Sequence, residues 1–229
     1  AHDFFLAAHA VAAPAGIRTL TAMSLAYAAA VCPTEAFDDL ARRAIDQFAQ
    51  TEPSNSLAVA MRVLGEHLLR HGRLDEAHAI LARAEAVEGD FPLQWSMAAA
   101  RLAECELARL ERGDADVDPA ALRRLLTRVD GVAADLPDIR ARVSLVFAAL
   151  DRRDGAPASA LARIGDAVAA LSVIRASGDD PVLTSLGARP FEPVYRQGAA
   201  LAAELGDAEA ALSFAEHRRA QWLTRGLNA

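Results

Sequence analysis

Hydrophobic positions recur at helical spacing along nearly the whole chain. Ile139, Val143, Val146 and Leu150 are separated by 4, 3 and 4 residues, and Leu122, Leu125, Leu126 and Val129 follow the i, i+3, i+4, i+7 rule of an amphipathic helix. No run of alternating β-branched residues suggests a strand. Helix-stopping and helix-capping residues punctuate the pattern: Pro14-Ala15-Gly16, Pro33-Thr34, Pro53-Ser54-Asn55-Ser56, Gly72, Gly89-Asp90, Asp118-Pro119, Pro137-Asp138, Gly155 to Pro157, Asp180-Pro181, Glu192-Pro193 and Gly206-Asp207. Between them the spacing predicts about eleven helices, near 2–13, 17–31, 34–50, 55–71, 74–88, 93–112, 119–135, 138–153, 157–176, 193–205 and 208–226. Short connections predict antiparallel neighbours. The stretch 177–192, with Gly178, Pro181, Gly187 and Pro190, predicts a longer loop.

Composition turns this into a fold class. Alanine makes up about a quarter of the chain, and aromatics only 5%. Alanine is the best helix former, and strand-favouring residues are sparse, so the expectation is all-α with close helix packing. With 53% hydrophobic residues the chain has enough apolar surface to fold.

The charge pattern excludes several functions. The net charge is −7, with no basic face of the kind duplex binding requires, and an acidic surface disfavours anionic membranes. All 24 basic residues are arginine. Without lysine there is no Schiff-base chemistry and no phosphate-binding Gly-x-x-x-x-Gly-Lys loop. The apolar stretch 19–32 is about 14 residues, short of the roughly 18 a membrane span needs, and predicts a buried helix. Cys32 and Cys105 are far apart and read as free thiols in a reducing, cytoplasmic setting.

A repeat then emerges. In the hairpin 58–92, Gly65, Leu68, Gly72, Ala77, Leu81 and Ala84 are separated by 3, 4, 5, 4 and 3 residues. Small residues at Gly65, Ala77 and Ala84 let two antiparallel helices approach, Leu68 and Leu81 fill the space beside them, and Gly72 closes the first helix. This spacing resembles the tetratricopeptide repeat. It recurs at Ala199, Ala202, Gly206, Ala211 and Ala215, preceded by Tyr195 and ending at Arg218, and more weakly at Ser24, Tyr27, Val31, Ala36 and Leu40. The resemblance implies a single right-handed α-solenoid over 1–229 with about five helical hairpins. Residues 1–16 would be a capping helix and 193–229 the last hairpin. The middle hairpins are degenerate in sequence.

The C-terminal helix carries a narrower likeness. Ala211-Leu212, Ala215-Glu216, Arg219-Ala220 and Leu223 follow a pattern similar to the helix that leads from the last repeat into the peptidase of bacterial proteins joining tetratricopeptide repeats to a caspase-like CHAT domain. The resemblance implies a regulatory arm for a downstream peptidase, whose catalytic His and Cys would lie outside this chain. Similar helices occur in sensing arms of large bacterial transcriptional regulators, and a free-standing adaptor is the other alternative.

Candidate chemistry is sparse. His67 and His71 share a helix face, with His78 beyond, but Glu66 precedes His67, so the His-Glu-x-x-His zinc pattern fails and solvated surface histidines are expected. Asp114, Asp116 and Asp118 start like a calcium loop, but Pro119 and Leu125 stand where Gly and Glu are required. No nucleophile elbow exists. The expectation is therefore no catalytic, metal or cofactor site, and no nucleic-acid or membrane partner. In the repeat register, the first helix of each hairpin lines a concave groove. Arg62, Glu66, Leu69 and Arg70 should point there, with Arg196 and Glu204 in matching places of the last hairpin. Groove arginines can grip a partner carboxylate. Arg218, Arg219 and Trp222 form a second candidate surface, suited to an intramolecular contact with a C-terminal peptidase domain.

Overall fold

The computed structural model describes residues 1–32, 36–52, 54–89, 91–176 and 192–227, with side chains throughout except at 174–176, 192–193, 218 and 220–227. Among the described residues eleven α-helices follow one another and no strand occurs. They are α1 (His2–Ala12), α2 (Arg18–Ala30), α3 (Phe37–Ala49), α4 (Asn55–Arg70), α5 (Leu74–Val87), α6 (Pro92–Arg112), α7 (Pro119–Val132), α8 (Pro137–Arg153), α9 (Pro157–Ala176), α10 (Glu192–Glu204) and α11 (Ala208–Leu227). Each expected helix is present. The expected loop at 177–192, apart from Glu192, lies outside the described residues.

Local chemistry sets the helix starts. The Ser54 hydroxyl accepts from the Leu57 amide at 3.3 Å, and the Asp118 carboxylate accepts from the Ala120 amide at 2.8 Å. Proline occupies the first turn of α6, α7 and α8, where its missing N–H costs nothing. No helix is long and apolar enough to cross a membrane among the described residues. The apolar stretch after Thr19 forms α2, which buries Ala22, Leu25, Ala26, Ala28 and Ala29.

The chain divides into two compact units, 1–117 and 118–229, where the sequence suggests one continuous array. In the first, α2 packs on α1, α3 and α4, and α4 packs on α2, α3, α5 and α6. Alternate helices α2, α4 and α6 thus lie side by side, and α3 and α5 connect them. Their shared core holds Leu25, Phe48, Leu57, Met61, Leu64, Leu68 and Leu81, all 1% exposed or less. In the second unit, α8 pairs with α9 and α10 with α11, α9 and α10 also touch, and α7 packs on α8. Tyr195, Leu171 and Phe214 lie at the centre of a core there. This pairing of sequence neighbours is that of a helical-repeat protein.

One turn recurs. After α4, Gly72 has φ +72°, its N–H reaches the Leu69 carbonyl, and the Arg73 N–H reaches back to Leu68. That closure needs a left-handed residue, which glycine adopts without a Cβ clash. The same two bonds follow α8 at Gly155 and α10 at Gly206. After α4 the turn brings Gly65, seven positions before the glycine, against Leu81, nine positions after it. A Cβ built on Gly65 would sit 2.6 Å from Leu81 Cγ.

Counting from Gly155 uncovers a hairpin that the sequence pattern left degenerate. Ala148, Ala160, Ile164 and Ala167 stand where Gly65, Ala77, Leu81 and Ala84 stand in the first unit, and all are buried. Asp151 takes the place of Leu68. In the last hairpin the close contact slides by one residue on both helices. Gly198 meets Phe214, whose ring lies 2.7 Å from a Cβ built there, and Ala215 is exposed rather than buried.

Gly65→Ala should destabilise the chain, because overpacking against Leu81 costs about 1–3 kcal/mol and exceeds the gain in helix propensity. Gly165→Ala, in α9 with nothing within 4 Å of the added Cβ, should stabilise by about 0.5–1 kcal/mol. Urea unfolding followed by circular dichroism measures both, and opposite signs are expected.

Candidate functional site

In the first unit α4 lies against α6. Glu66 on α4 accepts from Arg101 on α6 at 2.7 Å, and Arg101 also holds Glu104 at 2.9 Å. The Arg101 side chain is only 15% exposed, so this bridge is partly desolvated and ties the two helices at a fixed spacing. Glu66 is therefore tied to α6, with its side chain about one-third exposed. Leu69 packs its half-buried side chain on the core. Arg70 is exposed, 2.7 Å from the His67 ring nitrogen Nε2 and 3.9 Å from Glu66.

Arg62 differs from these. It is half-buried in the middle of α4, and its Nε is sealed from solvent without a hydrogen-bond partner. Two groups sense its charge: Tyr27 of α2 and Glu88, the C-cap of α5. Glu88 was not singled out by the sequence. It is fully buried, and neither carboxylate oxygen has a partner. Burial pushes its pKa up, and the Arg62 charge offsets only part of that.

In the second unit, Glu204 of α10 accepts from Arg152 of α8, with both oxygens at 3.2 Å. It too is engaged within the fold, although both side chains are more than half exposed. Arg196 and Arg219 are exposed. The side chains of Arg218 and Trp222 lie outside the described residues.

His71 is exposed, as expected of a surface histidine, while His67 and His78 are half-buried. His71 stacks on Phe37 of α3, with centroids 4.2 Å apart and planes at 17°, and His67 lies 6.4 Å from the same ring. Burial, then the Arg70 charge, lowers the His67 pKa to about 4. His78 contacts Glu106 at 2.7 Å. No group of three potential metal ligands comes together among the described residues. The aspartates are occupied as well. Asp114 accepts from the Asp116 amide and from Arg109, and these lower its pKa in that order. Asp118 caps α7. Cys105 is buried, its thiol reaches the Leu74 carbonyl at 3.5 Å, and burial pushes its pKa up to about 12, so it is no nucleophile.

Asp151 is the polar site that the repeat pattern missed. It binds Arg123 of α7 at 2.9 Å and the Ser159 hydroxyl of α9 at 2.7 Å. Burial alone would raise its pKa, but the Ser159 and Arg123 bonds outweigh that and hold it below the ordinary carboxylate value. It links three helices of the second unit.

No protein-family model matches the chain, and no curated protein matches it in sequence.

Two pH effects follow from these groups. A raised carboxyl pKa gives stability at low pH that is lost as pH climbs from the ordinary carboxylate range through the raised value. Glu88→Gln should remove that loss, so the variant gains on the parent as pH rises, by on the order of 1 kcal/mol. His67 has a depressed pKa, so its contribution is intact above its ordinary 6.5 and lost as pH falls toward about 4. His67→Gln should flatten stability across that interval. Denaturant titrations at a series of pH values test both.

Proposed function

We propose that this chain is a tetratricopeptide-like interaction arm that binds an acidic partner segment at the α4 face of its first unit. The observation that carries the reading is Arg62, a half-buried arginine that forms no ion pair within 4 Å among the described residues, on a helix tied to α6 by the Glu66–Arg101 bridge. A partner carboxylate would pair with the accessible part of the Arg62 side chain, and Arg70 at the end of the same helix adds a second, exposed cation. The exposed Arg196 would serve the matching face of α10.

The partner acts on a peptidase domain in this reading. The likeness of Ala211-Leu212, Ala215-Glu216, Arg219-Ala220 and Leu223 to the helix that enters CHAT domains supports a regulatory arm. Reading the native coding sequence past residue 229 tests that part. A caspase-like domain with its His and Cys is expected, and a DNA-binding domain in the same frame would move the protein to the transcriptional regulators.

The groove is tested with peptides selected by display against the parent chain. Arg62→Glu/Arg70→Glu should weaken their binding at least tenfold, about 1.4 kcal/mol, while the thermal melt stays cooperative. Unchanged affinity in the folded double variant would overturn the groove.

A further inference from the structure

A groove of about 600 Å³ runs within the second unit, where α9 meets the turn between α10 and α11. Ala158, Leu161 and Ala162 of α9 line one side, Leu205 and Asp207 the turn, and Phe214 of α11 the other side. Asp207 carries the only charge among the lining residues. Ala158 and Ala162 are exposed and Leu205 is 40% exposed, so the apolar surface of the groove faces solvent.

The first unit holds different chemistry at the corresponding place. There α6 ends as α10 does: Gly113 has φ +90°, its N–H reaches the Leu110 carbonyl, and the Asp114 N–H reaches back to Arg109. Aligning Gly72 with Gly155 and Gly113 with Gly206 sets Asp75 against Ala158, His78 against Leu161, Arg109 against Ala202, Arg112 against Leu205 and Asp114 against Asp207. In the first unit these positions are tied by charge. Arg112 holds Asp75 at 2.7 Å, Arg109 holds Asp114 at 2.7 Å, and His78 contacts Glu106. In the second unit only the aspartate remains. Asp207 caps α11 by accepting from the Ala210 amide at 2.9 Å, and it forms no ion pair among the described residues. Arg152, at the end of α8, is taken up by Glu204. An ion-paired clasp is thus replaced by solvent-facing leucine and an uncompensated acid. Exposed leucine stabilises nothing until apolar surface covers it.

We propose that this groove docks a basic amphipathic helix of a partner protein. Its leucine-like side chains sit on Ala158, Ala162 and Leu205, and a basic residue lies against Asp207. Alanines four apart on α9 leave a straight channel that matches the i, i+4 ridge of a helix. The groove is open along its length, which suits an element laid on it rather than an enclosed small molecule. The site is independent of the α4 face and takes a partner of the opposite charge.

Fluorescence anisotropy of the full chain with two labelled peptides tests the assignment. Both are helices of about 15 residues with the same leucine ridge, one flanked by lysines and the other by glutamates. One-site binding of the lysine peptide is expected at physiological salt, at least tenfold tighter than the glutamate peptide. Ala158→Arg/Ala162→Arg fills the groove and reverses its charge, and should weaken the lysine peptide at least tenfold. Asp207→Asn keeps a capping side chain and should weaken it about two- to fivefold, as for a partly exposed ion pair. Asp46→Asn/Glu111→Gln, at exposed acids of the first unit, should leave it unchanged, which separates a defined site from diffuse attraction to the net charge of −7. Both alanines are exposed, so the arginine variant should fold, and circular dichroism checks that; Leu205→Ser, at an exposed turn position, gives a second reading of the same wall. No saturable binding, equal affinity for the two peptides, indifference to the folded groove variants, or equal weakening by the first-unit variant would each overturn the proposal. Dimerisation of the chain that the groove substitutions abolish would assign the groove to a second copy and overturn the partner helix.

Discussion

A glycine that turns left-handed, seven residues after a small side chain, sets the geometry of the hairpins. At Gly72 and Gly155 the same two backbone bonds end one helix and aim the next back along it. The distance at which the two helices then meet depends on what stands at the small position. With Gly65 opposite Leu81 the backbone comes close enough that a methyl group would clash. In the hairpin of α8 and α9 the corresponding positions hold Ala148 and Ile164, and both are buried. The last hairpin keeps its glycine turn at Gly206 but has alanine at the position of Leu81. Phe214 fills the gap from one residue earlier, and only Gly198 leaves room for its ring. The turn is the fixed element, and the packing adapts to it.

Charge fastens together what the turns align. Arginine is the sole basic side chain apart from histidine, and its planar fork lets one residue hold two partners. Arg101 joins α6 to Glu66 of α4, Arg123 joins α7 to Asp151 and Asp154, and Arg109 holds Glu106 and Asp114. Isolated surface pairs contribute little, but these are partly withdrawn from water and linked into networks. Several carboxylates that look like binding groups on a helical wheel are consumed this way. Arg62 on α4 stands outside these pairs.

The sequence showed the helices and their turns clearly, because proline, glycine and capping residues act locally. The hairpin of α4 and α5 was legible because each of its positions holds the residue type that packing favours. The hairpin of α8 and α9 was not, since Asp151 occupies a place where a large apolar residue is the recognisable signal. Its burial is made possible by Arg123 and Ser159, which are remote in sequence or on the next helix. The pairing of Glu66 with Arg101 was hidden for the same reason: a helical wheel shows which way a side chain points, not what comes to meet it. Glu88 carried no signal at all, being one acidic residue at the end of a helix.

The hairpin turn also bears on how the chain reaches its fold. Gly155 joins α8 to α9 through a tight turn, so the two helices can meet and gain their packing before distant segments arrive. Contacts that close over such short stretches cost little loop entropy and form early. Each hairpin is then a place where folding can begin, and growth proceeds from neighbour to neighbour rather than through one central nucleus.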